Sequence, residues 1–341
     1  MNKIVSKIIK VVISVVLVIG SMYWAMKNVN FSDLIVILKN VNYLWVIVTI
    51  PIVLLSHWVR AIRWKTMLKP IMNVGSTYNL FSAVMVGYFF NNIIPRGGEF
   101  IRPYVYSKRE KVSFSSLFAT ILVERVLDVL FLMIIFACVF AFSHRILNIL
   151  PKDIDPKYLI ILALLFIFIL LSTFFPPIVH FLLKTFIKPI SNKFYERASE
   201  IFVKLEKGFS IIKKPSQYLR LSAESLFIWL LYSLPLYFIF FAFPFQARLG
   251  LGIEDAIMLV IVAGVGVSIA PSPGAIGVYH ALITTAMTQL YNISSTEAFA
   301  YATVTHAMSR IVELAVGAGF FFRENLKGFP SNEMMNEEIK K

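Results

Sequence analysis

Residues 91–104 read NNIIPRGGEFIRPY, and this polar stretch decides how the chain is organised. It interrupts an apolar run that begins near residue 78, and a second long apolar run begins at residue 113. Its two prolines and two glycines favour a turn, because proline cannot continue a helix and glycine tolerates left-handed backbone. A polar break inside an apolar region predicts backbone that faces protein or a water-filled cavity.

The composition of the chain is that of a membrane protein. It has 341 residues, of which 58% are hydrophobic and 15% are charged, whereas soluble domains carry about 25% charged residues. A helix needs roughly 20 apolar residues to cross a bilayer, and six windows approach or exceed that length: residues 11–26, 43–58, 116–142, 158–175, 226–243 and 298–322. We therefore predict an all-α polytopic membrane protein with about six spanning helices.

The basic excess of the chain fits membrane topology better than nucleic-acid binding. Lys and Arg number 33 against 19 Asp and Glu, a formal net charge of +14, and they lie beside apolar runs as the positive-inside rule describes. Lys3, Lys7 and Lys10 predict a cytoplasmic start and a retained first helix rather than a cleaved signal. We expect the protein to lie in the inner (cytoplasmic) membrane, with both termini in the cytoplasm. The single Cys138 excludes an internal disulfide.

Two basic segments flank the run 78–95. Residues 60–69 hold Arg60, Arg63, Lys65 and Lys69, and residues 96–111 hold five more basic residues. If both segments are cytoplasmic, the run between them cannot cross the membrane, so it must enter and leave on one face. We predict a re-entrant hairpin here, and a second one, from the outer face, over residues 255–291.

The two broken regions resemble each other. Each has a Pro-x-x-Gly break, at residues 95–98 and 271–274, and each precedes a helix with a basic–acidic pair three residues apart. The pairs are Arg125 with Asp128 and Arg310 with Glu313. Broken hairpins of opposite orientation are typical of inverted-repeat transporters. The intervals from break to arginine differ, at 30 and 39 residues, so a chance resemblance is the alternative.

A single domain accounts for most of the chain. We expect a transmembrane domain over residues 1–330, with repeat halves at roughly 43–183 and 218–323. Residues 184–217 are strongly basic with an apolar stripe, which predicts a helix on the anionic inner leaflet. A cytoplasmic helix packed on the bundle is the alternative for that segment. Residues 331–341 are expected to form a disordered tail.

Charged residues occur where the chain should be deep in the membrane. Glu124, Arg125 and Asp128 lie in the middle of an apolar run, and a lone charge there costs at least ~2.5–3.5 kcal/mol. A similar set follows later in the chain: His306, Arg310 and Glu313. One interpretation is a salt-bridge network, Arg125 with Glu313 and Arg310 with Asp128, that pins two helices together. The other is an arginine that grips a lipid phosphate through two hydrogen bonds, and the two interpretations are compatible.

Four motifs carry a family resemblance. NNIIPRGGEFIRPY with LVERVLDVL (122–130), and APSPGAIGVYHALI (270–283) with SRIVEL (309–314), resemble the lysylphosphatidylglycerol synthase transmembrane-region family, also called flippase-like domain proteins. The resemblance covers nearly the whole chain. In the multiple-peptide-resistance factors of bacteria, a related domain translocates aminoacylated phosphatidylglycerol that a separate cytosolic domain makes. The longest non-spanning segment here is roughly 184–217, so we expect no aminoacyltransferase domain.

The leading hypothesis is therefore a lipid translocase of the flippase or scramblase type. A polar or phosphate-bearing headgroup would enter a cavity between the broken hairpins, with an anionic or isoprenoid-phosphate lipid as substrate and no cofactor, metal or nucleic acid. Arg96 and Arg102 would recruit phosphate at the inner face, and Arg125 and Arg310 would contact it at mid-depth. The candidate cavity residues are Asn91, Asn92, Pro95, Arg96, Gly97, Gly98, Glu99, Arg102, Glu124, Arg125, Asp128, Pro271, Ser272, Pro273, Gly274, Gly277, His306, Arg310 and Glu313.

Two other classes of function compete with transport. One is an intramembrane enzyme acting on a lipid headgroup, with Glu124 or Asp128 as general base and His306 assisting. The other is a membrane subunit or scaffold for a separate lipid-modifying enzyme. No nucleotide-binding or hydrolase motif occurs in a fitting context, which weighs against the enzyme.

Overall fold

The computed structural model describes residues 3–142, 215–270 and 272–324, together with 183–189 and a few single positions between 161 and 199. All the regular elements in this part of the chain are helical, which confirms the all-α class. The apolar window 158–175 lies almost entirely outside the described residues, the segment 184–217 lies outside them in large part, and the tail 331–341 lies wholly outside them.

The helices follow in chain order. They are α1 (Lys3–Met26), α2 (Phe31–Lys39), α3 (Tyr43–Leu68), α4 (Thr77–Asn91), α5 (Gly98–Glu110), α6 (Phe114–Phe142), α7 (Pro215–Phe240), α8 (Phe245–Leu249), α9 (Ile253–Ile269), α10 (Val278–Tyr291) and α11 (Ser295–Arg323). A π-helical turn covers Leu183–Ile187 and a 3₁₀ turn covers Pro273–Ala275. Polar side chains accept hydrogen bonds from first-turn N–H groups and so fix several starts: Asn30, Asn42, Ser76 and Ser294.

Two helices in the described part of the chain are both long and apolar enough to cross a membrane. They are α3, over Tyr43–Leu68, and α7, over Ser216–Phe240. Helices α6 and α11 have 29 residues each, about 44 Å at 1.5 Å per residue, and both carry charges near their middle. The structure thus identifies two of the six predicted spans, and the full count is not confirmed.

Helices α4 and α5 form an antiparallel hairpin. Gly98 at the start of α5 lies so close to Gly87 in α4 that a Cβ would overlap the Gly87 carbonyl oxygen. At the open end of the hairpin, Asn79 Nδ2 donates to Glu110 Oε1 at 2.8 Å. The limbs, of 15 and 13 residues, reach only about 20–22 Å, less than the ~30 Å of a hydrocarbon core. The stretch NNIIPRGGEFIRPY, residues 91–104, covers the tip of this hairpin and the first half of α5.

Helices α9 and α10 form a second antiparallel hairpin. Gly266 of α9 faces Leu282 of α10, and Met258 and Leu290 belong to one apolar cluster nearer the open end. The tip between these helices is the segment 270–277, which contains the 3₁₀ turn Pro273–Ala275. The hairpin α4–α5 and the hairpin α9–α10 therefore share one architecture.

Helices α3 and α7 pack against each other and run antiparallel. Near one end, Trp45 packs against Phe241; further along, Val59 joins an apolar cluster with Ile228 and Leu231. Long helix α6 contacts α5 and α9, and long helix α11 contacts α10 and α4. Each long helix therefore touches both hairpins.

Candidate functional site

The tips of the two hairpins meet. Asn92, directly after α4, lies against Gly274, where a Cβ would stand 3.0 Å from Asn92 Oδ1. Gly274 also has a φ of +57°, a conformation that glycine adopts without strain. Arg96 Nη2 donates to the Ser268 carbonyl oxygen at 2.6 Å. The structure thus brings together the two breaks that the sequence analysis singled out.

Helix α11 lies behind this junction and holds it with polar side chains. Asn92 Nδ2 donates to Glu313 Oε2 at 3.0 Å, and Arg310 Nη1 lies 2.9 Å from the same oxygen. His306 Nε2 donates to the Gly274 carbonyl oxygen at 2.7 Å. His57 of α3 lies 3.6 Å from Glu313 Oε1. We call this set the tip cluster: His57, Asn92, Gly274, His306, Arg310 and Glu313.

A second set of charged residues joins three helices. Arginines from α3, α5 and α6 surround two carboxylates of α6, and we call this set the arginine cluster. Its members are Arg60, Arg63, Arg102, Glu124, Arg125 and Asp128. All of them lie within helices, so regular backbone fixes where each side chain begins.

Glu124 is the centre of the arginine cluster. Arg102 Nη1 lies 3.0 Å from both of its carboxylate oxygens, and Arg60 Nη1 binds Oε1. Arg63 and Arg125 approach the same oxygen at 3.4 Å and 3.2 Å. The Glu124 side chain is completely buried, and such a carboxylate needs these cationic partners to stay charged.

Asp128 lies one turn further along α6 and shares three of the arginines. Arg63 Nη2 donates to its Oδ1 at 2.6 Å, while Arg60 and Arg125 reach its Oδ2 at 3.3 Å and 3.4 Å. The Asp128 side chain is 13% exposed and that of Arg125 is 41% exposed, whereas Arg60 and Arg63 are buried. The cluster is therefore accessible from the side of Arg125 and Asp128.

Aromatic and hydroxyl groups complete the walls of the cluster. The Arg102 guanidinium carbon lies 4.0 Å from the Trp64 ring centroid, close enough for a cation–π contact. Arg60 donates to Tyr232 Oη through Nε and Nη2, at 3.0 Å and 2.8 Å. Tyr232 Oη lies 3.3 Å from Tyr88 Oη. Helix α7 of the other half thus contributes to the site.

Tyr88 also links the two clusters. Its ring centroid lies 4.1 Å from that of His57, and His57 belongs to the tip cluster. A continuous set of contacts therefore runs from Arg60 through Tyr232, Tyr88 and His57 to Glu313.

The remaining predicted residues of the first break shape its turn. Asn91 Oδ1 accepts a hydrogen bond from the Gly98 N–H at 2.8 Å. Pro95, Gly97 and Glu99 are half-buried and Arg96 is exposed, with a positive φ of 56°. These residues form the tip and orient Arg96 toward the second hairpin.

Predicted residues of the second break likewise shape its turn. Ser272 Oγ donates to the Ile276 carbonyl oxygen at 2.8 Å, and Pro273 begins the 3₁₀ turn. Gly277 has a φ of +79° and lies against Ser21 of α1, where a Cβ would overlap the side chain. Pro271 lies outside the described residues.

The structure corrects the predicted pairing between the long helices. Arg125 pairs with Glu124 and Asp128 of its own helix, and Arg310 pairs with Glu313. The predicted cross-pairs, Arg125 with Glu313 and Arg310 with Asp128, are wrong. The carboxylates of α6 face α3 and α5, whose arginines occupy them.

Sequence reasoning missed two of the four arginines in the arginine cluster. It treated Arg60 and Arg63 only as topology marks at the end of α3, although both are buried against α6. It also passed over Trp64 and Tyr232. The signal was the run VRAIRW, in which two arginines share a helical face with apolar neighbours.

The residues of the alternative enzyme site, Glu124 or Asp128 with His306, have separate partners in the structure. His306 contacts Gly274 and the rings of Tyr279 and His280, whereas Glu124 and Asp128 bind arginines. Among the described residues, no group of three or more His, Cys, Asp or Glu is placed to hold a metal ion. The arrangement instead suits an anion, because guanidinium groups match phosphate geometry.

Comparisons with known proteins place these features in a family. The sequence model of the family described as "Lysylphosphatidylglycerol synthase TM region" matches residues 8–317. The chain is 34% identical over 126 residues to the UPF0104 membrane protein MJ1595 of Methanocaldococcus jannaschii, a match that spans 35% of this chain and 38% of that protein. It is 26% identical over 250 residues to the UPF0104 membrane protein PH1989 of Pyrococcus horikoshii, covering 69% and 73% of the two chains.

Proposed function

The chain belongs to the lysylphosphatidylglycerol synthase TM region family, and from that premise we propose that this membrane protein moves a polar or phosphate-bearing lipid between leaflets. The observation that carries the proposal is the arginine cluster, buried among α3, α5 and α6. Ionisable residues inside membrane helices are costly and mark pathways for substrates or ions. Arginine in particular binds phosphate through paired N–H groups.

The accessible edge of the cluster supports a headgroup that enters from the side. Arg125 and Asp128 are the members that are accessible, so a headgroup would meet them first. The lipid tails would remain in the bilayer. Arg102, more deeply enclosed and stacked on Trp64, would contact the phosphate once it is inside.

Helix packing supports an inverted repeat in which α7 of the second half packs against the arginine cluster of the first. The first helices of the halves, α3 and α7, run antiparallel, and each long helix touches both hairpins. We propose that α4–α5 enters from the cytoplasmic face and α9–α10 from the outer face, with both termini cytoplasmic. Transporters of this kind bind substrate near the midplane at the repeat interface.

The tip cluster would then be the gate of the pathway. Arg96 joins the two hairpins directly through the Ser268 carbonyl oxygen, and Asn92, which lies against Gly274, is held by Glu313 of α11. A headgroup would pass only when these hydrogen bonds open. The contact between His57 and Tyr88 would connect the gate to the arginine cluster. Arg310, paired with Glu313 at the gate, would take the phosphate after Arg125.

Leaflet exchange of defined lipids in proteoliposomes tests the proposal. We expect the purified protein to accelerate exchange of a fluorescent anionic phospholipid, and Arg125→Ala and Arg310→Ala to lower the rate at least tenfold. Arg248→Ala is the matched control, because Arg248 is 60% exposed and pairs with Glu297 at the surface. Unchanged exchange in both folded site variants would show that the mid-membrane site is wrong.

The same vesicles separate transport from chemistry. Mass spectrometry of the extracted lipids should find the same species before and after exchange. A new lipid species would favour the enzyme, and neither exchange nor conversion would favour a scaffold.

A further inference from the structure

We propose that the arginine cluster selects a dianionic phosphate monoester headgroup, as in polyprenyl phosphate or phosphatidic acid, and rejects cationic aminoacylated lipids. This inference rests on the proposed function and specifies the substrate class of the same site. It is based on the number of positive and negative charges in the buried arginine cluster.

The cluster contains more positive than negative charge. Four arginines contact two carboxylates, Glu124 and Asp128, and arginine stays protonated in proteins. The excess is two positive charges. The other polar groups that the structure places on these arginines are the neutral hydroxyls of Tyr232 and Ser225, so the excess is not balanced among the described residues.

An unbalanced buried charge is unfavourable, and a ligand can correct it. Charges removed from water need partners of opposite sign. A phosphate monoester carries up to two negative charges and would bring the cluster to neutrality. A phosphodiester such as phosphatidylglycerol would leave one positive charge. An aminoacylated headgroup with net positive charge would add to the excess, and the site should repel it.

Unused hydrogen-bond donors point to the same ligand. Arg102 Nε and Nη2, and the Nε atoms of Arg63 and Arg125, are buried without a hydrogen-bond acceptor in the described part of the chain. A terminal phosphate offers three strong acceptor oxygens, whereas a phosphodiester has two that are not bridging. The monoester can therefore satisfy more of these donors.

Asp128 would hold the phosphate site in the absence of lipid. It is the more exposed of the two carboxylates, 13% against 0% for Glu124, and it contacts Arg60, Arg63 and Arg125. Phosphate oxygens that arrive from the open side would compete for those arginines. Glu124, enclosed on all sides, would keep Arg102 and Arg60 in place during the exchange.

Binding to purified protein in detergent tests the inference directly. The probes are phosphatidic acid, phosphatidylglycerol and lysylphosphatidylglycerol with identical short acyl chains, titrated by calorimetry at pH 8. We expect phosphatidic acid to bind at least tenfold more tightly than phosphatidylglycerol, and lysylphosphatidylglycerol to bind most weakly. At pH 5 the preference for phosphatidic acid should fall, because the second pKa of a phosphate monoester is about 6.

One variant changes the charge count by a single unit at the accessible edge. Arg125→Gln leaves one excess positive charge, so the ratio of phosphatidic acid to phosphatidylglycerol affinity should fall at least fivefold. Arg125→Lys retains the charge and should retain the preference, and Arg248→Gln should change neither affinity. Because Arg125 is 41% exposed, all three proteins should fold, and the pH comparison needs only the wild type.

The outcomes separate this inference from the proposed function. Equal affinity for phosphatidic acid and phosphatidylglycerol at pH 8 would overturn the monoester assignment, even if leaflet exchange were rapid. A preference unchanged in Arg125→Gln would overturn the argument from charge. Failure of every lipid to exchange in vesicles would instead refute the translocase.

Discussion

Arg102 lies over the face of Trp64, 4.0 Å from the ring centroid, while its Nη1 stands 3.0 Å from both oxygens of Glu124. One side chain of hairpin α4–α5 is thereby attached to α3 and to α6 at once. A flat, delocalised cation can stack on a ring while its edge donates hydrogen bonds, whereas an ammonium group has no plane that stacks.

Arg102→Lys should therefore impair function although the charge is kept. We expect lipid exchange to fall at least tenfold, and the loss of a cation–π contact to lower stability by about 0.5–2 kcal/mol. Exchange rates in vesicles and thermal unfolding in detergent measure the two effects. Arg248→Lys is the control. Equal activity of Arg102→Lys and Arg248→Lys would show that Arg102 does not belong to the site.

Asp128→Asn should destabilise the empty protein. It leaves Arg63, bound to Asp128 at 2.6 Å, without that carboxylate, and breaking a buried pair costs about 3–5 kcal/mol. Thermal unfolding in detergent should show a clear fall in Tm. Added phosphatidic acid should recover more of the loss than added phosphatidylglycerol does. A variant as stable as the wild type would mean that the excess charge carries no cost.

Gly98→Ala should loosen the hairpin α4–α5. The added methyl group overlaps the Gly87 carbonyl oxygen, and overpacking of this kind costs about 1–3 kcal/mol. Gly319→Ala is the matched control, since a Cβ there meets nothing within 4 Å and the better helix propensity of alanine contributes up to ~1 kcal/mol. The two substitutions should move Tm in opposite directions; a shared direction would contradict the close packing.

Single cysteines should report the proposed orientation of the hairpins. Cys138→Ser removes the one native cysteine, and Lys108→Cys and Arg248→Cys place new thiols at exposed positions. A membrane-impermeant maleimide applied to intact cells should label residue 248 but not residue 108. Labelling of residue 108 from outside would refute the re-entrant path of α4–α5.

The sequence predicted the local features of this fold well. The breaks at residues 95–98 and 271–274 lie at the two tips, and the pairs Arg125–Asp128 and Arg310–Glu313 are present. These features depend on residues close together in the chain, where proline, glycine and helical spacing act directly.

Local sequence patterns did not predict which residues that are far apart in the chain contact each other. Along the chain, the helices α4 and α5 lie between Arg60 or Arg63 and Glu124. In the sequence, an arginine near a helix end is the same whether its side chain faces lipid headgroups or a carboxylate. The count of six spans stays unconfirmed. Helix α6 carries Glu124, Arg125 and Asp128 near its middle, so composition alone does not distinguish a spanning helix from a helix that holds a buried site.

The contact between the hairpin tips has a consequence for the leakage of small anions across the membrane. A cluster of arginines open to water on both sides would conduct small anions, and each charge that crosses 100 mV dissipates about 2.3 kcal/mol. Arg96 donates to the Ser268 carbonyl oxygen across the two breaks, and Asn92, which lies against Gly274, is held by Glu313 of α11. In the proposed orientation these contacts would form the permeability barrier, so a pathway for lipid phosphate through the protein would not dissipate the membrane potential.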